Sequence, residues 1–265
     1  MEVFGIDVSH YQGRIDWQQV AASGIKFAVM KCQYEAQSHR KDECFEYNYE
    51  EAGKHHIARG VYIYIARASM ADPVGDAKSL LAHLNGRKLE YGIWLDLEDK
   101  TVDVKGKAYI RNLALQYTDY FRKAGYYVGI YCNRDWYLRL IHDDLKQQFD
   151  FWLARYPRVD KGVYNPNSSL KPSINVAVAW QYSSKGCIPG ISTNVDLDVD
   201  FDGIVSLAAG APVFRKSVDE IVQEVLEGKW GTKYTNPTRK ELLTMAGYDY
   251  EIIRKKVNEA YSRKA

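Results

Sequence analysis

The 265-residue chain has no uninterrupted apolar run approaching the roughly 18 residues that span a bilayer, which argues against membrane insertion as a helix. It has almost no excess of one charge: the formal net charge is +2. That excludes a nucleic-acid binder working through a general electrostatic field. The opening Met1-Glu-Val-Phe-Gly-Ile-Asp7 passes straight into a strand-like run without a basic leader segment, so no signal peptide is expected and synthesis is expected in the cytoplasm. The four cysteines, Cys32, Cys44, Cys132 and Cys187, form no CxxC pair and no metal-ligand spacing with histidine. All four read as reduced, with Cys32 and Cys132 as small core residues inside apolar runs. A Cys32–Cys44 bridge has nothing to support it.

What the chain does have is aromatic residues of one kind. It carries 21 Tyr and 6 Trp against 8 Phe. Tyrosine and tryptophan combine an apolar face with a polar edge. That combination suits sugar rings, whose CH faces stack while their hydroxyls form hydrogen bonds.

Eight strand-like runs recur along the first 200 residues: Val3–Ser9, Phe27–Gln33, Gly60–Ile65, Tyr91–Glu98, Tyr127–Asn133, Phe151–Tyr156, Val176–Tyr182 and Val195–Phe201. Several are almost continuously apolar, as expected of strands buried on both faces of a parallel sheet. Helical spacing appears between them in the first half, over Asp16–Ala22, Asp42–His55, Asp72–Leu84 and Ala108–Ala124. Pro157–Pro172 reads as loop. The fold expected is α/β, an irregular (β/α) barrel of eight strands whose helices are degraded in the second half. Residues 1–208 would form this barrel and 209–215 a linker. Residues 216–265 would form a small three-helix bundle, opened by the capping-box pattern Ser217-Val-Asp-Glu220, with a second helix from Asn236-Pro237 to Ala246 and a third after Asp249.

The run Tyr91-Gly-Ile-Trp-Leu-Asp-Leu-Glu98 sets Asp96 and Glu98 two residues apart. In an extended strand residues i and i+2 share a face, so two carboxyls would stand together. Paired acids in a restricted space hold a proton more tightly, which is what general acid catalysis near neutral pH needs. The competing reading is a solvated loop past a strand end. Asp7, Asn133, Tyr156 and Tyr182 also fall near strand ends, where such barrels carry their chemistry.

Gly5-Ile-Asp-Val-Ser9, Gln12-Gly13 and Ile15-Asp-Trp17 resemble the opening signature of glycoside hydrolase family 25, the lysozymes (N-acetylmuramidases) of phage, bacteria and some fungi. Gly60-Val-Tyr-Ile-Tyr64, Trp94-Leu-Asp-Leu-Glu98, Gly129-Ile-Tyr131, Trp152-Leu-Ala154, Trp180-Gln-Tyr182 and Val195-Asp-Leu-Asp198 match its later blocks in order. Lys216–Ile221, Glu227–Gly231 and Ala246–Tyr250 resemble one copy of a short cell-wall-binding repeat of certain phage lysozymes. The resemblance implies cleavage of the β-1,4 bond between N-acetylmuramic acid and N-acetylglucosamine, with no cofactor, by a bacteriolytic enzyme that reaches the bacterial wall after release. It reads as a phage or prophage endolysin, with a bacterial autolysin exported by another route as the alternative. It implies Glu98 as the acid, its pKa raised by neighbouring Asp96, and Asp96 as the charged group assisting the sugar's own 2-acetamido group. An inverting route with activated water stays open beside it. Asp7 and Asp196 match two further acidic positions that would orient the pair, with Asp198 the alternative to Asp196. Asp196, Asp198 and Asp200 alternate on one face, but no EF-hand glycine follows, so no metal is expected.

Tyr62, Tyr64, Tyr131, Tyr156, Trp180 and Tyr182 are candidate sugar contacts, half of them expected to be packing, with Tyr64, Trp180 and Tyr182 favoured. Lys31, near the end of the second strand, would want an anion such as Asp7 or Asp96. After that strand comes Cys32-Gln-Tyr-Glu-Ala36, lacking the glycine that relatives often carry. The partner implied is peptidoglycan, as glycan in the cleft and as muropeptide at the C-terminal module. A single wall-binding copy favours a homodimer, since paired copies add avidity. The rival functions are a chitinase-like hydrolase on the same barrel and a wall-binding protein that has lost turnover.

Overall fold

A computed structural model describes residues 2–34, 39–201, 218–234, 238–240, 243 and 249–262. The chain divides into two compact units, Met1–Phe214 and Arg215–Ala265.

The first unit is a closed barrel in which eight strands neighbour one another in chain order. They are β1 (Val3–Val8), β2 (Phe27–Lys31), β3 (Ala58–Tyr64), β4 (Gly92–Asp96), β5 (Val128–Asn133), β6 (Phe151–Ala154), β7 (Ala179–Gly186) and β8 (Val195–Asp200). Strands β1 to β7 run parallel, and β8 is antiparallel to both β7 and β1. The sequence pattern had suggested parallel strands throughout. The link from β7 to β8 is too short for a crossover, which takes a dozen or more residues, so the chain reverses instead. The reversal has a functional consequence: it brings the beginning of β8, not its end, to the rim where the other seven strands finish.

Helices cover the outside where the sequence carries their signals. α1 (Trp17–Ala22) is capped by Asp16, and α2 (Phe45–Lys54) buries Phe45, Tyr49 and Ala52. α3 (Arg67–Ala71) leads into α4 (Pro73–Leu84), which has Pro73 in its first turn and the Asp72 carboxylate accepting from Gly75 N at 2.8 Å. The short α5 (Lys100–Asp103) precedes α6 (Lys107–Lys123), whose Ile110, Leu113, Tyr117 and Phe121 form the expected buried stripe. Between β5 and β6 stand only α7 (Arg134–Arg139) and α8 (Asp143–Gln148), and no helix is present among residues 155–178. The second half of the barrel is thinly covered, as its loop-like composition suggested.

Side-chain alternation splits the apolar residues into two layers. Ile6, Val8, Met30, Ile63, Leu95, Ile130 and Leu197 face the helices. Phe27, Val29, Trp94, Tyr131, Trp152 and Ala179 fill the barrel itself. Phe27 stacks on Tyr91 with ring centroids 4.2 Å apart, and Trp94 meets Trp152 edge-on at 5.8 Å. Glycines make room for these rings. A Cβ at Gly129 would lie 2.4 Å from the Trp94 ring, which is fully buried and has nowhere to retreat. Gly129→Ala is therefore expected to destabilise the fold by about 1–3 kcal/mol, read as a lower urea midpoint at unchanged slope.

In the second unit, helix Val218–Leu226 turns Val218, Ile221, Val222 and Val225 toward Leu243 and toward Ile253 and Val257 of helix Tyr250–Ser262. Lys256 Nζ reaches Asp219 Oδ1 at 2.7 Å between the two helices. Linker 209–215, Ser217 of the capping box, and most of the helix expected over Asn236–Ala246 lie outside the described residues, as do Glu35 and Ala36. The four cysteines are free thiols, two of them buried. No helix among the described residues is long and apolar enough to cross a membrane.

Candidate active site

The barrel rim collects carboxyl groups from three strands because inward-facing positions alternate with outward ones. On β1 the inward series is Gly5 and Asp7. On β4 it is Trp94 and Asp96, continued past the strand end by Glu98, and on β8 it is Asp196, Asp198 and Asp200. Asp7 pairs directly with Asp196 across β1 and β8, and Asp198 pairs with Gln181 across β8 and β7. Asp96 ends β4 and is 7% exposed, whereas Glu98 is exposed to solvent. The two stand on one face, with Asp96 deeper in the barrel and Glu98 at its mouth.

Glu98 holds its proton more tightly than an ordinary glutamate, first because surrounding protein restricts its solvation and then because Asp99 stands beside it. Asp99 is a lasting source of negative charge. Against the cost of partial burial, hydrogen bonds from Thr101 hold its carboxyl below the usual range, helped by the Tyr64 hydroxyl at 3.1 Å. This corrects one expectation: the charge that most directly raises Glu98 is that of Asp99, not Asp96. The cause is the strand end, since Asp96 turns into the barrel while residues 98 and 99 enter the first turn before α5.

Asp196 is pushed up to about 6, by burial and then by the charges of Glu98 and Asp160, with Lys185 opposing. Interaction between two titrating groups is mutual, so Asp196 also raises Glu98. If Glu98 must be protonated to act, activity falls as pH rises through its pKa. Removing the negative charge of Asp196 lowers that pKa. The Asp196→Asn variant should move the alkaline limb of the pH–rate profile to lower pH, by on the order of one unit or less. A limb that stays in place or moves up would detach Asp196 from the acid.

The structure brings most of the candidate residues to this rim. Tyr62 lies below it, its phenol held protonated by burial and by the charges of Asp7 and Asp96. Tyr64 is tied to Asp99, and the buried Lys31 places its Nζ 5.3 Å from the Tyr34 ring centroid and 5.9 Å from that of Tyr64. The hydroxyls of Tyr131 and Tyr156 both donate to Gln181 Oε1, the first at 2.7 Å. Trp180 and Tyr182, two of the three favoured contacts, are not brought to the site. Both are buried in the outer layer, where the Trp180 indole donates to Arg155 O at 2.9 Å and Tyr182 packs against Tyr164. The period of two explains this, because Ala179 and Gln181 face inward and their neighbours must face out.

That alternation also identifies what the sequence reading passed over. Gln181 is 3% exposed and donates from Nε2 to Asp7 Oδ2 at 2.6 Å. Trp152 donates from Nε1 to Asp198 Oδ1 at 2.8 Å. Both lie within quoted motifs, and their inward phase was the available signal. Among the described residues no group of three or more His, Cys, Asp or Glu is arranged to hold a metal ion.

The model of glycosyl hydrolases family 25 matches residues 6–191, which include the second half of β1, all of β2 to β7, and Asp7, Asp96 and Glu98. The chain belongs to that family. Residues 219–260 match the CW_7 repeat. The autolytic lysozyme of Clostridium acetobutylicum is 27% identical over 204 residues, covering 76% of this chain and 56% of that protein. The family 25 chain thus spans little more than half the length of that relative. The crystal structure of the bacterial lysozyme from Streptomyces coelicolor superposes with a TM-score of 0.57 at 26% identity, covering 78% of this chain and 96% of its own. The crystal structure of the CTP1L endolysin gives 0.63 at 20% identity over 78% of this chain and 70% of its own, a likeness of fold.

Proposed function

We propose that this family 25 chain is a lysozyme that cleaves the β-1,4 bond between N-acetylmuramic acid and N-acetylglucosamine in bacterial peptidoglycan. One observation carries the reading: Glu98, with its proton affinity raised, stands exposed at the barrel mouth above the more buried Asp96. In the proposed mechanism Glu98 gives its proton to the leaving glycosidic oxygen as that bond breaks. The carbonyl oxygen of the substrate's 2-acetamido group bonds to the anomeric carbon, while Asp96 accepts the acetamide N–H and balances the developing positive charge. Water then adds to the anomeric carbon as its bond to the acetamide oxygen breaks, and gives a proton to Glu98. Asp7 and Asp196 hold the pair's surroundings, and Tyr62, Tyr64, Tyr131, Tyr156 and Lys31 line the sugar path.

The 219–260 repeat is proposed to hold the enzyme on the wall through muropeptides, with pairing of two chains as its route to avidity. The protein would act as an endolysin of phage or prophage type. Release of reducing ends from purified peptidoglycan and from chitin, side by side, tests the substrate class. Release from peptidoglycan is expected, and release from chitin alone would replace this reading with a chitinase.

A further inference from the structure

We propose that Asp7 and Asp198 share a single proton, carried on Asp7 and given in a hydrogen bond to Asp198, and that Gln181 and Trp152 are the positioning residues of this pair. The inference refines the same rim described as catalytic, but it concerns the resting protein and does not depend on which bond is cleaved.

The argument begins with a donor that the rest of the protein does not supply. Asp198 is 0% exposed. Its Oδ1 accepts from the Trp152 indole, while its Oδ2 is equally buried and receives no hydrogen bond from any N–H or from a hydroxyl among the described residues. A buried carboxylate oxygen left in that condition is costly. The inward-facing acid on the neighbouring strand is Asp7, which pairs with Asp196 across β1 and β8 and so stands one inward position along from Asp198. A hydrogen bond between the two carboxyl groups would favour the Asp198 anion. Two ionised carboxylates have only acceptors, so that bond forms only if one of them is protonated.

The proton belongs on Asp7. On balance the surroundings of Asp7 make its ionisation harder. Burial comes first, then the charges of Asp196 and Asp198 on β8, and later that of Asp96 on β4. Gln181 on β7 favours the anion, and its hydrogen bond to Oδ2 leaves Oδ1 to carry the proton. Tyr62 on β3 and Tyr131 on β5 approach as neutral phenols, as does Tyr156 beyond β6, and Lys31 ends the inward series of β2. Asp198 is also raised, by burial and then by the charge of Asp196, but the Trp152 indole N–H on its Oδ1 favours its anion, and fewer neighbouring charges oppose it than oppose that of Asp7.

The orientation of Gln181 is fixed from the other side. Its Oε1 accepts both the Tyr131 and Tyr156 hydroxyls, so its amide N–H group has to point at Asp7. The chain of donors therefore runs in one direction, from two phenols to Gln181, from Gln181 to Asp7, and from Asp7 to Asp198. As a neutral group Asp7 is neither nucleophile nor base. It removes one negative charge from the crowded rim and lets Asp96 and Asp196 ionise there.

The test reads the proton directly. Protein labelled with ¹³C at the aspartate carboxyl carbons is examined by NMR at mildly alkaline pH, where Asp196, at about 6, has ionised. The wild type should show a neutral carboxyl resonance that disappears in Asp7→Asn and ionises in Asp198→Asn, where the new amide can donate to Asp7. The wild-type spectrum needs no variant to fold and no substrate, so loss of this inference and loss of the muramidase reading are separate results. In kinetics, Asp198→Asn and Gln181→Leu should lower kcat by about tenfold or more with KM little changed, the mark of a misplaced site and not of weakened binding. The absence of any neutral aspartate that depends on Asp7 would overturn the proposal. So would a neutral Asp7 that persists in Asp198→Asn.

Discussion

Replacing Glu98 by Gln should lower turnover on peptidoglycan by about 10²–10⁴-fold with little change in substrate binding. The substitution keeps the size of the side chain and removes its ability to supply a proton to the leaving oxygen and to take one back from water. Glu98 is the one member of the acid group that is exposed to solvent and held toward its protonated form without being enclosed. A leaving oxygen of a sugar is a poor leaving group unless protonated, so the loss should be largest for natural glycan. It should shrink for an aryl glycoside whose leaving group departs as a stable anion. If the variant kept its activity on peptidoglycan, the acid would have to be sought elsewhere on the rim, with Asp196 the next candidate because it titrates near 6.

The second large effect is expected at Asp96. Asp96→Asn should reduce turnover by about 10²–10³-fold, the range seen when one preorganised electrostatic contact to a transition state is removed. The two variants should differ in kind. An activated leaving group relieves the need for Glu98 but not the need for Asp96, because the acetamide oxygen bonds to the anomeric carbon as any aglycone departs. Asp96→Asn should therefore be impaired equally on natural and activated substrates. Equal rescue of both variants by the activated substrate would show that Asp96 acts only through the acid.

Much of the scaffold could be read from the chain because its signals are local. Apolar runs marked all eight strands, and capping residues such as Asp16 and Asp72 marked where helices begin. The reversal of β8 was present in the short β7–β8 link, but the apolar run that defines a strand carries no direction. For the site, the two-residue period on β1, β4 and β8 predicted which acids share a face. The same period, applied to Trp180-Gln-Tyr182, would have put Gln181 inward and both aromatics outward. Aromatic side chains drew the reading toward themselves because sugars stack on them, although in a barrel wall rings of this size serve equally well to fill the outer layer. Asp99 was harder to find. Its influence on Glu98 comes from the turn into α5 and from the hydrogen bonds that keep it charged, and neither is written in spacing.

Gln181 has the same history. A glutamine between two aromatics carries no chemical signature of its own, and its importance lies in three partners drawn from β1, β5 and the segment after β6. Only the closed barrel brings them together. Such long-range polar networks are what a sequence conceals best, since each member is an ordinary residue until the others are placed around it.

Mass spectrometry of the muropeptides released from purified peptidoglycan tests the central claim most directly. The account predicts fragments that end in reducing N-acetylmuramic acid with their stem peptides intact. Fragments ending in reducing N-acetylglucosamine, or stem peptides released by amide cleavage, would contradict it.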